Sequence, residues 1–268
     1  MYVYSKTNVC EDVRQMLYEH FAETEQYSVF ILCYQLFTYD EFLTIKNRHP
    51  DHRIIVYQLE QLPVFKISQD AVMILRDADE VWDYDAENIR FLASHGIKAK
   101  LMPMMPTKGI SACGPIIGKD ECDIDLLFYG AITEERNMKL VKLMNSCNTS
   151  GLKMVMLSGI YGEALDEYIR RSKIILNIHA YRTAFQEQVR IFKALSSNRC
   201  VLSEPSLTNH FGEAVIEVPA ENLFVTARDL IESGKYIKMS NSVVRKWKDA
   251  TERPKNGGFF RSLFGRKR

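Results

Sequence analysis

The chain has 268 residues, 46% of them hydrophobic and 26% charged, with a net charge of +1 at neutral pH. This composition is that of a globular protein large enough for two domains of about 100–150 residues, and it excludes a disordered chain. The near-zero charge excludes a global field that would gather nucleic acid or an anionic membrane. No apolar run approaches the roughly 20 residues that span a bilayer.

Short apolar runs alternate with amphipathic helical patterns along the first half, which is typical of parallel α/β units. The runs predict five strands, at Met1–Tyr4, Val29–Tyr34, Arg53–Gln58, Glu80–Trp82 and Ala99–Met102. The amphipathic segments predict four helices, at Val9–Phe21, Tyr39–Arg48, Ser68–Arg76 and Asp85–His95. A β-α-β-α series of this kind predicts a Rossmann-like domain.

The pattern breaks after Met102. Three prolines and three glycines follow within a short stretch without periodicity, at Pro103, Pro106, Gly109, Gly114, Pro115 and Gly118. Such a stretch is typical of a domain boundary. We therefore predict an N-terminal domain over residues 1–106, a linker over 107–120, a C-terminal domain with a final helix over 121–250, and a tail over 251–268.

The alternation of strands and helices resumes after this linker. Strands are predicted at Asp125–Tyr129, Leu152–Leu157, Ile174–His179, Cys200–Ser203 and Glu213–Val218. Helices are predicted at Glu134–Met144, Tyr161–Arg171, Glu187–Ser196, Leu223–Ser233 and Asn241–Ala250. The second half is therefore expected to form another Rossmann-like domain.

Three stretches of the second half resemble GT-B glycosyltransferases, in particular the spore-maturation-like and group 1-like families. They are DLLFYGAITEERN (Asp125–Asn137), GIYGEALDEYIRRSKIILNIHAY (Gly159–Tyr181) and EQVRIFKALSSNRCVLSE (Glu187–Glu204). IIVYQLEQL (Ile54–Leu62) and the segment Ala78–Met104 of the first half are also similar. The resemblance covers about residues 50–235. It implies an α/β fold with two Rossmann-like domains facing across a cleft, and transfer of a sugar from a nucleoside-diphosphate sugar.

Donor-binding residues are expected at the carboxyl ends of the second domain's strands. Gly130 would allow the backbone to approach the donor, and Arg136 would meet phosphate oxygens at a helix N-terminus. Arg190 is the first choice for clamping the diphosphate, since negative charge accumulates there as the glycosidic bond breaks. Around it we expect further donor contacts from His179, Tyr181, Glu187 and Glu204.

One departure from the resemblance concerns the donor ribose. Many related enzymes carry two glutamates eight residues apart, and the second holds the ribose. Eight residues after Glu187 this chain has Leu195. Glu204, at the end of the next predicted strand, is a possible substitute.

Acceptor-side residues are expected where the first domain's strands end. Glu60 is the candidate general base, because a carboxylate there could take the acceptor hydroxyl's proton. Gln58 precedes it, and Trp82, Asp83 and Tyr84 form an aromatic and acidic segment suited to stacking on a sugar. For each of these residues a purely structural role is an open alternative.

No metal and no cofactor is expected besides the nucleotide-sugar co-substrate. The D-x-D pattern that holds metal in another glycosyltransferase fold occurs three times, but Asp123 and Asp125 precede a strand instead of ending one. Six scattered cysteines without a C-x-x-C pair predict reduced thiols, and with no signal peptide they favour a cytoplasmic location.

Two functions compete with this assignment. One is a glycosyltransferase acting on modified DNA bases, and the other is a catalytically inactive module that binds nucleotide-sugars or glycans. The tail after Gly257 carries three phenylalanines and four basic residues. It is either a disordered end or a weak peripheral contact with a membrane.

Overall fold

A computed structural model of the chain describes residues 1–62, 67–110, 113–181 and 185–252. The chain divides into two compact units, Met1–Met104 and Met105–Arg268. No helix in the described ranges is long and apolar enough to cross a membrane. The tail from residue 253 onward, including its proposed membrane contact, lies outside the described residues.

Unit 1 is a parallel sheet with helices between its strands, as predicted. Its strands are β1 (Tyr2–Tyr4), β2 (Ser28–Leu32), β3 (Arg53–Gln58), β4 (Glu80–Asp83) and β5 (Lys100–Leu101). Its helices are α1 (Glu11–Phe21), α2 (Tyr39–Arg48), α3 (Gln69–Asp77) and α4 (Ala86–Ser94). The strands lie in the order β1-β2-β3-β4-β5, which is their order along the chain.

Polar side chains fix where the helices of unit 1 begin. Thr38 forms a capping box with Glu41 at the start of α2. Ser68 accepts a hydrogen bond from the amide of Ala71 at the start of α3, and Asp85 caps α4 in the same way. Each cap satisfies an amide that the helix leaves without a partner, which is worth about 1 kcal/mol. The helices then pack on strands such as β2, which is buried along its whole length.

Unit 2 is a second parallel sheet with more helices. Its strands are β6 (Ile124–Tyr129), β7 (Met154–Leu157), β8 (Ser172–Asn177), β9 (Cys200–Ser203) and β10 (Val215–Glu217). Its helices are α5 (Glu134–Thr149), α6 (Gly162–Arg170), α7 (Gln188–Ser196), α8 (Leu223–Glu232), α9 (Lys235–Ser240) and α10 (Val243–Glu252). The sequence analysis did not predict α9. The prediction of an α/β fold is confirmed in both halves.

The strand order of unit 2 contains a reversal. The strands lie in the order β10-β9-β8-β6-β7, so the chain builds outward from β6 to β7 and then returns to the other side of β6 with β8. This reversal is a topological switch point. The connections leaving β6 and β8 diverge there, and the carboxyl ends of strands at such a point are where open α/β sheets bind ligands.

Candidate functional site

Arg190 lies at the switch point of unit 2. It projects from the first turn of α7, and its Nε donates a hydrogen bond of 2.6 Å to the carbonyl oxygen of Tyr129, the last residue of β6. Its Nη1 donates at 2.8 Å to Oδ1 of Asn177, the last residue of β8. The guanidinium also lies 4.8 Å from the centre of the Phe128 ring. These contacts hold a cation between the ends of the two strands.

The third guanidinium nitrogen of Arg190 faces the glycine after β6. A Cβ at Gly130 would lie 2.5 Å from Nη2, which is closer than atoms can approach. Gly130 also has a φ of 135°, which disfavours any residue with a side chain. Among the described residues no hydrogen-bond acceptor faces Nη2. Gly130 is therefore required for the position of Arg190, and a donor nitrogen remains for a ligand.

Glu187 immediately precedes α7 and collects hydrogen bonds from three directions. Its Oε1 accepts from Arg136 Nη2 at 2.9 Å and from the amide of Ala180 at 2.8 Å. Its Oε2 accepts from His179 Nδ1 at 3.0 Å. Burial raises the pKa of Glu187, but the hydrogen bond from His179 and the charges of the neighbouring cations outweigh burial and lower the pKa to about 2. Glu187 is therefore a fixed negative charge.

Arg136, which was predicted to meet phosphate oxygens, is bound within the protein. Its side chain is only 2% exposed, and each guanidinium nitrogen already has an acceptor in the protein. Nε donates to the carbonyl of Ile178, Nη1 to that of Ala131 and Nη2 to Glu187. Burial, with the charge of Arg190, lowers the pKa of Arg136 to about 10. Arg136 thus orients Glu187 and joins the loops after β6 and β8.

His179 is a buried link in the same network. Its Nδ1 faces Oε2 of Glu187, and its Nε2 faces the carbonyl oxygen of Pro205, each at 3.0 Å. Because both neighbours only accept hydrogen bonds, both contacts need a proton on the ring. Burial lowers the pKa of His179, but the interactions with Glu187, Pro205 and Glu204 outweigh it and raise the pKa. The geometry therefore favours the imidazolium form.

Glu204 follows β9 and completes the network. Its Oε2 accepts from the amide of His179 at 2.7 Å, and its Oε1 lies 2.8 Å from Nζ of Lys139. Lys139 and Asn177 were not singled out in the sequence analysis. Asn177 could have been predicted as a site residue because it is the last residue of a strand at the switch point. Nothing in the sequence around Lys139 indicates its role. Tyr181, which is partly exposed, lies close enough to Arg136 to influence its pKa.

The structure thus places the predicted donor-side residues at the carboxyl end of the unit 2 sheet. With His179 protonated, the described charged side chains of this group are four cations and two carboxylates, a net charge of +2. The cations are Arg136, Lys139, His179 and Arg190, and the carboxylates are Glu187 and Glu204. Such an excess of positive charge, at the end of a parallel sheet, suits an anionic ligand.

The acceptor-side residues of unit 1 form a separate, largely uncharged network. Gln58 is fully buried at the end of β3. It donates a hydrogen bond of 2.9 Å to Asp83 and accepts one of 2.6 Å from the amide of Glu60. Asn88 donates to Asp83 at 3.1 Å and to the carbonyl of Glu60 at 2.7 Å. The network therefore fixes the loop that carries Glu60. Burial raises the pKa of Asp83 to about 8, although the hydrogen bonds that Asp83 accepts act to lower it.

Glu60 retains the properties of a candidate base. Its carboxylate is partly exposed and accepts from Gln35 Nε2 at 3.3 Å. Burial raises its pKa above the ordinary glutamate value. A raised pKa makes a carboxylate a stronger proton acceptor near neutral pH.

The predicted stacking surface is wrong. Trp82 is 3% exposed and packs in the core of unit 1, where its ring lies 5.1 to 5.2 Å from the rings of Phe21 and Phe30. Its indole nitrogen donates to Glu80 at 2.9 Å. Tyr84 is 2% exposed. Both rings are therefore inaccessible to a sugar, because β4 directs Trp82 toward the core.

The D-x-D pair at the start of β6, Asp123 just before the strand and Asp125 within it, is occupied in ion pairs. Asp123 lies 2.6 Å from Lys153 and 2.5 Å from Arg171, and Asp125 lies 2.7 Å from Lys173. The two carboxylates lie at the amino end of β6, at the edge of the sheet opposite to Arg190. They are therefore part of the framework of unit 2.

No protein-family model matches the sequence, and no curated protein matches it. Solved structures do match. HepE from Anabaena, in complex with UDP and glucose, aligns with a TM-score of 0.52 and 10% identity over 85% of this chain and 76% of its own. A TarM mutant from S. aureus, in complex with fondaparinux, α-GlcNAc-glycerol and UDP, aligns with a TM-score of 0.51 and 9% identity over 84% of this chain. This chain spans only 55% of the TarM chain's length. At this identity the likeness concerns the fold alone, the parallel α/β fold that the two units of this chain share with these structures.

Proposed function

We propose that this chain is a glycosyltransferase that takes a sugar from a nucleoside-diphosphate sugar, with the diphosphate bound by Arg190. The observation that carries the proposal is the position of Arg190 at the switch point of unit 2, with Nη2 directed past Gly130. Ligands of open α/β sheets bind at such switch points. The GT-B fold and the presence of UDP in the structures of both HepE and TarM support this donor class.

The chemistry of the leaving group explains why a rigidly held cation at this position would favour sugar transfer. As the glycosidic bond breaks, negative charge accumulates on the diphosphate, and a cation already in place stabilises that charge without rearranging. Tyr129 and Asn177 hold Arg190 before any ligand arrives. Arg136 and His179 hold Glu187 next to it, so the site is organised in advance.

Glu60 is proposed as the base that accepts the acceptor hydroxyl's proton. Its raised pKa supports this role, as does the anchoring of its loop by Gln58 and Asn88. The protonated carboxyl group cannot act as a base, so turnover should rise as the pH increases through the pKa of Glu60.

Calorimetry with UDP and with GDP tests the donor site. Arg190→Ala should weaken binding of the preferred nucleotide at least tenfold, a loss of about 1.4 kcal/mol. The matched control is Arg170→Ala, since Arg170 lies on the surface at the end of α6 and pairs with Glu167. The nucleotide affinity of the Arg170→Ala variant should equal that of the wild type. Unchanged affinity in a folded Arg190→Ala variant would remove Arg190 from the site.

Measurements of activity and of DNA binding distinguish the proposed enzyme from the two alternative functions. Slow release of UDP from a UDP-sugar without acceptor would distinguish a transferase from an inactive binding module. Salt-sensitive binding of duplex DNA would favour the alternative of a glycosyltransferase that acts on modified DNA bases.

The proposed role of Glu60 as the general base is tested by mutation. Glu60→Gln should lower kcat and leave UDP affinity unchanged, whereas Glu23→Gln, on the exposed surface, should change neither.

A further inference from the structure

Two of the six cysteines lie against each other in unit 1. Cys33 directly follows β2 and has a φ of 51°, and Cys10 directly precedes α1. Their sulfur atoms are 2.6 Å apart, although the residues are 23 positions apart in the sequence. Both side chains are buried, with 3% and 6% of their surfaces exposed. A cysteine in the left-handed region is uncommon, so the backbone turns there to direct its side chain toward Cys10.

Other cysteines of the chain contact different groups. The thiol of Cys113 donates to the carbonyl oxygen of Ser197, and that of Cys122 donates to the carbonyl of Arg170. Cys147 and Cys200 are buried in the core cluster of unit 2. The pairing of Cys10 with Cys33 is therefore a local feature of the loops after β1 and β2.

We infer that Cys10 and Cys33 form a reversible disulfide, with a small hydroperoxide as the oxidant. One thiolate attacks the peroxide O–O bond, which gives a sulfenic acid and releases water from hydrogen peroxide. The second thiol attacks the sulfenic sulfur, the S–O bond breaks and a second water leaves. Two thiols and one hydrogen peroxide thus give one disulfide and two water molecules, and an external dithiol reverses the reaction.

The surroundings explain why this pair would react and what it would affect. Each sulfur is already in contact with its partner, so the second step needs little movement. The pair also adjoins the proposed base: Gln35, two residues after Cys33, donates to Glu60. The hydrogen bond to Cys33, burial and the charge of Glu60 all raise the pKa of Cys10, which disfavours its thiolate, so the attack on the peroxide falls to Cys33 and Cys10 attacks the sulfenic sulfur. A disulfide would fix the start of α1 to the segment that holds Gln35 against Glu60.

The test is oxidation of the full chain with hydrogen peroxide, followed by acid quenching, alkylation under denaturing conditions and peptide mass spectrometry without reductant. We expect a peptide that joins Cys10 to Cys33, two fewer alkylated thiols out of six, and full recovery after treatment with a dithiol. Cys10→Ser and Cys33→Ser should each abolish the linked peptide, whereas Cys147→Ser should retain it. Both thiols still alkylated, or Cys10 joined to a different cysteine, would overturn the inference.

Unfolding provides a second measurement that does not depend on these variants. The oxidised chain should unfold at a higher urea concentration than the reduced chain, since the crosslink restricts the unfolded state. An unchanged midpoint with a confirmed crosslink would mean that strain in the native state cancels the effect of the crosslink, which contradicts a pair already placed for the bond. An effect of oxidation on kcat rests on the proposed role of Glu60, but disulfide formation does not.

Discussion

The two sheets of this chain are built from similar units but are wound differently. In unit 1 the described strands follow their order in the chain, β1 to β5, and contain no switch point. In unit 2 the order reverses after β7, and Arg190 lies where it reverses. Similar β-α elements thus give a switch point in unit 2 and not among the described strands of unit 1, because strand order decides where the connecting loops diverge.

The carboxylates of the two units differ in the same way. In unit 2 Glu187 is surrounded by cations, and its pKa is about 2. In unit 1 Glu60 and Asp83 are surrounded by amides and apolar groups, and burial raises the pKa of both. One environment thus makes a permanent charge that positions other groups, whereas the other favours the protonated form of its carboxyl groups.

The largest effect should come from breaking the charged network of unit 2. Glu187→Ala leaves the buried guanidinium of Arg136 without its carboxylate, so we expect a loss of about 3–5 kcal/mol of unfolding free energy. Urea denaturation measures this loss. Glu167→Ala, which removes an exposed partner of Arg170, should cost less than about 1 kcal/mol. Similar losses in the two variants would mean that the network is not a buried ionic one.

Gly130→Ala should have the next largest effect. Backbone strain at a φ of 135° should cost about 1–3 kcal/mol, and the new Cβ would displace Arg190 and so lower UDP affinity. The control is Gly151→Ala, since Gly151 also has a positive φ but has open space around it. It should lose stability through strain and keep wild-type UDP affinity. If both variants bind UDP normally, Gly130 has no role in placing Arg190.

The pH dependence of stability tests the buried carboxyl group of unit 1. Asp83 has a folded pKa of about 8, above its unfolded value, so the native state binds its proton more tightly. Its contribution to stability is therefore complete below about pH 4 and is lost as the pH rises toward 8. The slope is at most about 1.4 kcal/mol per pH unit. Urea titrations from pH 5 to 8 should show this slope reduced in Asp83→Asn and retained in Asp51→Asn, an exposed control. Parallel curves for Asp83→Asn and the wild type would contradict a raised pKa.

Sequence periodicity predicted the α/β fold because buried parallel strands and amphipathic helices have distinct patterns. It located the strands that end at Gln58 and just before Gly130, and the helix that carries Arg190. It missed α9, which has six residues and no side-chain cap at its start. Short elements of this kind are held by packing on the rest of the unit, which local sequence does not express.

The sequence could not show where each side chain of the site points. Arg136 was placed correctly at the start of α5, but its burial under the loop after β8 depends on contacts with residues about 40 to 50 positions away. The strand order that creates the switch point is equally non-local. Residue type and position therefore identified the residues that come together, whereas tertiary structure decided that Arg136 is buried against Glu187 and that Arg190 lies between the ends of β6 and β8.

The smallest effect should follow Trp82→Phe, which tests whether the aromatic segment of unit 1 belongs to its core or to a sugar site. The variant keeps a ring among Phe21 and Phe30 but loses volume and the hydrogen bond to Glu80, so we expect a loss of about 1–2 kcal/mol. Turnover at a temperature where both proteins are folded should be unchanged, because the ring is inaccessible to a sugar. Thermal unfolding and steady-state kinetics on the same preparation measure the two quantities. A fall in kcat/KM with intact stability would instead support a role of Trp82 in binding the acceptor. Unit 1 would then contribute more than the proton acceptor Glu60.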